Sequence, residues 1–195
     1  MDIYKALKKE KKAIKRFYIY MGILALLLPT TLWLTDIKTK FFIFYVLILE
    51  LLIILAVLKK RDYTKLEFKY KNNRLKFTSG LFSQTNTILC DTIAIVHTDG
   101  MEDYMKIILV SNAKVRNRRM KLISKGFLKR YPEVAELYDK IKRLDPDEIY
   151  YFQIVKKGGL KKYPFLDEVF KYCVKADYTE ACIENIKIAR GQTLS

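Results

Sequence analysis

A single histidine in 195 residues, His97, closes off much chemistry at once. A Ser-His-Asp set, a cysteine–histidine pair and a zinc site would all have to share it. His97 itself falls in an apolar alternating segment and reads as structural. The three cysteines, Cys90, Cys173 and Cys182, form no C-x-x-C pair, so reduced structural thiols are expected. A phosphate loop is missing as well. Lys156-Lys157-Gly158-Gly159-Leu160-Lys161-Lys162 has glycines but neither the Walker interval nor its Ser/Thr, and reads as a flexible basic turn. Asp99, Glu102 and Asp103 surround a turn signal without the regular oxygen spacing that calcium needs. No catalytic residue, cofactor or metal is expected, and the chain reads as a non-enzyme.

Charge is missing from two long runs. Residues 17–35 carry none, and residues 41–58 carry only Glu50. Each run is long enough to cross a bilayer core of about 30 Å, the second narrowly. The link DIKTK allows only a tight turn, so residues 17–58 are expected to form a transmembrane helical hairpin. No small-x-small cleavage site follows the first run and a second span comes at once, which disfavours a signal peptide.

The positive charge is placed around those runs. Of the net +16, residues 1–16 carry +5 and residues 59–143 carry +11, while 17–58 and 144–195 are each neutral. Lysine and arginine on both flanks, against two lysines in the turn, put both termini in the cytoplasm by the positive-inside rule. The protein is thus expected in the cell membrane with two spans. The change near residue 144 marks a compositional boundary.

Beyond the hairpin the hydrophobic period becomes two. KLEFKYK (65–71) and RLKFTS (74–79) alternate about Asn72-Asn73, a pair that tolerates the φ > 0 of a hairpin turn. QTNTILC (84–90) and TIAIVHT (92–98) read as two more strands around Asp91. DYMKIILV (103–110) and VRNRRMKLIS (115–124) complete an antiparallel meander of about six. From Pro132 the period changes. Val134, Leu137, Tyr138, Ile141 and Leu144 share one helical face, and that helix must cover the sheet. Residues 144–195 add a strand (148–155), a turn and two short helices (164–175 and 178–190). Asp177 and Glu180 fit a capping-box variant, and Gly191 fits the C′ end. The tail reads either as a small appended subdomain or as a partner-binding arm.

A basic two-helix hairpin, a strand meander and a closing helix together resemble the small bacterial membrane proteins with a pleckstrin-homology-like domain. The residues that carry the likeness are YKNNRLKFTSGLF (70–82), ILCDTIAIVHT (88–98) and MKLISKGFLKRYPEVAELYDKI (120–141). Within them Arg74, Leu75, Phe77, Gly80, Leu81 and Phe82 match the family's hairpin pattern, and Ile93, Ile95 and Val96 its apolar strand. The resemblance covers residues 5–143 and implies an α+β membrane protein, with a PH-like β-meander or barrel over 62–143. It implies no catalytic residue and no fixed ligand. Some such proteins confer immunity to bacteriocins or antimicrobial peptides, which makes immunity or stress resistance an alternative role.

Three features are candidate sites. Lys114, Arg116, Arg118, Arg119 and Lys121 form a basic strand, read either as a surface for anionic lipid headgroups or as a solvated face. The N-terminal stripe of Ile3, Leu7, Ile14 and Phe17 among lysines reads either as an interfacial helix on the inner leaflet or as a plain positive-inside anchor. Glu50 lies mid-span, where an acid costs roughly 2.5–3.5 kcal/mol. Antiparallel depth pairing sets it opposite Ala25 and Leu26. Pro29 frees the Ala25 carbonyl, so a protonated Glu50 could staple to it. Self-association or contact with a partner's polar group are the other readings. The leading expectation is a scaffold that binds the bilayer, anionic lipids or a membrane-protein partner, with no nucleic acid. A small oligomeric pore or transport subunit is a further alternative.

Overall fold

The computed structural model describes residues 3–35, 39–114 and 119–192. Two helices lead. Helix α1 (Ile3–Leu34) runs unbroken for 32 residues, and α2 (Lys40–Thr64) for 25. Both are long and apolar enough to cross a membrane, and their apolar windows are not buried inside the protein. They face each other along a narrow seam. Its half-buried positions are Ile14, Phe17, Met21, Ala25, Leu28 and Leu32 on α1, with Val46, Leu49, Glu50, Ile53 and Val57 on α2. That spacing of three and four is the one by which helices pack side by side.

The basic N-terminal segment is not a separate helix. It is the first half of α1, and its tip enters the soluble core: Ile3 is 1% exposed, with Ala6 and Leu7 packed beside it. The stripe read as lipid-facing therefore begins against protein. An apolar face near a folded domain is buried by whichever surface reaches it first.

Among the described residues eight strands follow in two sheets. The first has order β1-β2-β3, from Leu66–Lys71, Arg74–Ser79 and Asn86–Leu89. Asn72 and Asn73 take φ of 50° and 59°, the turn expected there. The second has order β6-β7-β5-β4-β8, from β4 (Ile93–Asp99), β5 (Lys106–Ser111), β6 (Lys121–Leu122), β7 (Tyr151–Val155) and β8 (Asp177–Tyr178). All pairs are antiparallel except β4 with β8. Among the described residues these are two open sheets, not a closed barrel.

The meander is broken in an informative place. Residues 115–124 were expected beside β5, but β7 takes that position and β6 pairs with β7 outside it. Strands β4 and β5 are buried on both faces. Ile93, Val96, Ile107 and Leu109 join one core, and Ile95, Ile108 and Val110 the other. A neighbour there must also be apolar on both faces. Tyr151–Val155 comes near that demand, with Gln153 its one polar residue; a segment with four cations does not. The neutral C-terminal stretch is thus threaded into the sheet. Residue 144 marks a change of charge rather than a break in packing.

Helices close the layers. On one face lie α3 (Lys125–Arg130), absent from the sequence reading, and α4 (Pro132–Leu144), which buries Val134. On the other lie α5 (Lys162–Tyr172) and α6 (Glu180–Ala189). Phe165 is fully buried between Phe68 and Phe77, at ring-centroid distances of 5.3 and 5.2 Å. Helix α6 is capped by Thr179, whose hydroxyl accepts from Cys182 N, while Asp177 lies in β8. Its C-terminus is the expected glycine end: Gly191 has φ +71°, and Gln192 N donates to Lys187 O at 2.8 Å. The thiol expectation changes too. Cys90 and Cys173 are joined by a disulfide, and Cys182 is free and buried.

Phe165→Ala should cost about 3–5 kcal/mol, the range for a buried aromatic. The urea midpoint of the detergent-solubilised chain, followed by tyrosine near-ultraviolet circular dichroism, measures it. An unchanged midpoint would mean that the C-terminal helices fold apart from the first sheet.

Candidate functional site

The foot of α2 is fastened to the soluble domain residue by residue. The Asp62 carboxylate accepts from Leu81 N at 2.7 Å and pairs with Lys157. Tyr63 OH donates to Asp103 O at 2.7 Å, and Gly158 N donates to Tyr63 O at 2.8 Å. Gly80 N donates to Lys65 O at 2.8 Å. Both glycines are required. Their φ values are +98° and +132°, and a Cβ would meet Asp62 Oδ1 at 2.8 Å or Leu66 at 2.7 Å. From α1, Glu10 accepts from Leu160 N at 3.4 Å. The basic glycine turn is therefore a rigid junction rather than a flexible loop.

Beside this junction opens a cleft of about 690 Å³. Arg119 and Lys121 enter from the stretch around β6, Arg130 from the end of α3, and Lys156 from the end of β7. Arg119 Nη1 reaches Ser79 O at 3.5 Å, which ties this edge of the cleft to the strand leading to the Gly80 turn. Phe127 and Phe152 stack at 3.9 Å to form its apolar wall. Ser124 caps α3, its hydroxyl accepting from Phe127 N at 3.3 Å, and so orients that wall. None of the described residues lining the cleft is acidic. A smaller groove between the hairpin and β1 holds Lys11, Arg61, Lys65 and Lys161, but Glu10 and Glu67 offset half of that charge.

Of the five basic-strand residues, Arg119 and Lys121 line the cleft. Lys114 does not; its ammonium lies 5.8 Å from the Tyr151 ring centroid. Arg116 and Arg118 lie outside the described residues. Arg130, Lys156 and the two phenylalanines were missed. Ser124 preceding a short basic-aromatic segment was the available signal for α3, whereas the approach of β7 to β6 left none.

Glu50 of α2 and Ala25 of α1 are both half-buried, and Glu50 Oε1 is buried without a hydrogen-bond partner among the described residues. Pro29 is exposed, off the seam. The hydroxyls of Thr30 and Thr31 serve the neighbouring carbonyls of Leu26, Leu27 and Leu28.

His97 is buried, with Nδ1 2.9 Å from Thr179 Oγ1 and 3.6 Å from the Glu133 carboxylate. The spacing imitates a base and nucleophile. Thr179 is however also buried and occupied as the α6 cap, and neither residue lines the cleft. Burial lowers the His97 pKa, so the ring joins β4 to α6 as a neutral link. No family model, curated protein or solved structure matches the chain.

Lys162 is the most unusual charge near the junction. It is fully buried, and its ammonium donates to the carbonyls of Asp103, Met105 and Lys156. Burial pushes its pKa down to about 8, against the pull of Asp103 and Glu10. Between about pH 8 and 10.5 the unfolded chain holds this proton while the folded chain releases it. Stability contributed through Lys162 therefore climbs with pH across that window. In thermal melts, the wild type should gain on Lys162→Met as pH rises from 8 to 10; parallel profiles would refute the assignment.

Proposed function

We propose that this is a non-enzymatic, membrane-anchored protein whose basic cleft binds anionic, phosphate-bearing lipid headgroups at the cytoplasmic face. The observation that carries the reading is the cleft itself: four cations on an aromatic wall, without a lining carboxylate, beside the foot of an apolar helix. Near an anionic leaflet each cation contributes about 1 kcal/mol. Four acting together would hold a headgroup well above neutral lipid. A PH-like reading of the soluble part is supported by the antiparallel β1–β2 and β4–β5 hairpins and by α4 packed across a sheet. The open sheets and the inserted β7 weigh against it.

The lysine distribution supports a cytoplasmic placement. The Cys90–Cys173 bond weighs the other way, since disulfides persist mainly in oxidising compartments. Protease protection of an N-terminal tag in intact cells decides between them: protection is expected, and cleavage would overturn the placement.

A second reading has its own observation. The unpartnered Glu50 oxygen on the seam favours contact with a polar group of a membrane-protein partner or a second copy.

Lipid selectivity tests the leading reading. The full chain is needed, because Ile3 and Glu10 of α1 belong to the domain's packing. In native mass spectrometry from mild detergent, phosphatidylglycerol should remain bound in preference to phosphatidylcholine. The double variant Lys121→Gln/Arg130→Gln should lower that retention roughly tenfold or more, at about 1 kcal/mol per charge. Equal retention of the two lipids, or an unaffected variant, would sink the proposal.

A further inference from the structure

Two aromatic side chains of the soluble domain are more exposed than any other large apolar residue described, including those on the two long helices. Phe82 and Tyr104 are each 84% exposed, against 78% for Trp33, the highest on the hairpin. They sit on different loops, Phe82 after β2 and Tyr104 between β4 and β5. Both loops are fastened to the same short stretch. Leu81 N, next to Phe82, binds the Asp62 carboxylate, and Asp103 O, next to Tyr104, accepts from Tyr63 OH. Lys162 holds the second loop from behind through the carbonyls of Asp103 and Met105.

The position of that stretch matters. Leu58 ends the apolar run, and Asp62 and Tyr63 follow four and five residues later in the same helix. At 1.5 Å per residue that is about 6–7.5 Å beyond the hydrocarbon edge. The headgroup layer occupies roughly the next 5–7 Å on each side of the bilayer core. Aromatic rings collect at that level, where an apolar body and a wet surrounding can both be met. Successive helical residues point about 100° apart, so the two loops leave the stem on different sides. Cations accompany the first: Lys157 pairs with Asp62, and Arg119 reaches Ser79 O.

We infer that Phe82 and Tyr104 form a two-point interfacial anchor, seated in the headgroup layer of the leaflet from which α2 emerges, that fixes the domain's tilt on the bilayer. The inference rests on the reading of α2 as a span. The anchor would hold the Arg119 edge of the cleft at headgroup level, so that the ligand comes from the leaflet and not from solution.

The chain has one tryptophan, Trp33, near the far end of α1. This permits single-tryptophan probes of the full chain in phosphatidylcholine–phosphatidylglycerol vesicles, with lipids brominated at shallow or deep acyl positions. Trp33 in the native chain reports insertion of the hairpin. Trp33→Phe/Phe82→Trp and Trp33→Phe/Tyr104→Trp report the two loops, and the exposure of all three positions keeps folding out of the comparison. Both loop probes should show blue-shifted emission and stronger quenching from shallow than from deep bromines. Quenching of Trp33 with water-like, unquenched emission from both loop probes would overturn the anchor while leaving the span intact. Quenching at one loop alone would replace two points with one and overturn the fixed tilt. An unquenched Trp33 would remove the span and the anchor together.

Discussion

The structure depends on one junction, where α2 passes into the first strand with no slack. Helix α2 ends at Thr64 and β1 begins at Leu66, so a single residue, Lys65, separates them. A long apolar helix joined so closely transmits its direction to whatever follows it. The domain accepts that constraint by wrapping the helix end. Lys157 and Leu81 hold Asp62, Gly158 and Asp103 hold Tyr63, and Gly80 holds Lys65. Glu10 brings α1 to the same turn through Leu160. These partners come from distant parts of the chain.

Local signals were legible wherever a segment's own pattern decides its state. The β1–β2 hairpin, α4 from Pro132 to Leu144, and the Gly191 end of α6 follow from alternation, periodicity and turn chemistry within a dozen residues. The errors are nonlocal. Residues 115–124 alternate well enough for a strand, but the place beside β5 is buried on both faces, and Tyr151–Val155 competes for it with a better side-chain set. The first turn of α1 has a stripe suited to a leaflet, yet Ile3 finds a folded core within reach. The cleft inherits both outcomes. Two of its cations, Arg119 and Lys121, were readable as a basic run. The other two, Arg130 and Lys156, arrive only because β7 lies beside β6 with α3 across it.

The cysteines show the same limit from another side. Residues 90 and 173 lie 83 apart in sequence, without a motif to relate them. What joins them is packing: the turn that leads from the first sheet into β4 meets the end of α5, where Tyr172 stacks on Tyr70 at 3.8 Å. The charge distribution and the disulfide therefore carry independent information about the compartment.

Glu50 raises the complementary problem, an ionisable group whose neighbours are known and whose partner is not among them. It is half-buried in α2, as Ala25 is in α1. Its Oε1 is buried without a hydrogen-bond partner among the described residues. The carbonyl that Pro29 leaves without its helical donor is that of Ala25, which is itself half-buried. The hydroxyls of Thr30 and Thr31, which follow, donate to the next carbonyls, those of Leu26, Leu27 and Leu28. Glu50 brings an oxygen without a partner among the described residues to a half-buried stretch of α2. In hydrocarbon such a group is not neutral to assembly, because its cost falls only when another polar group reaches it.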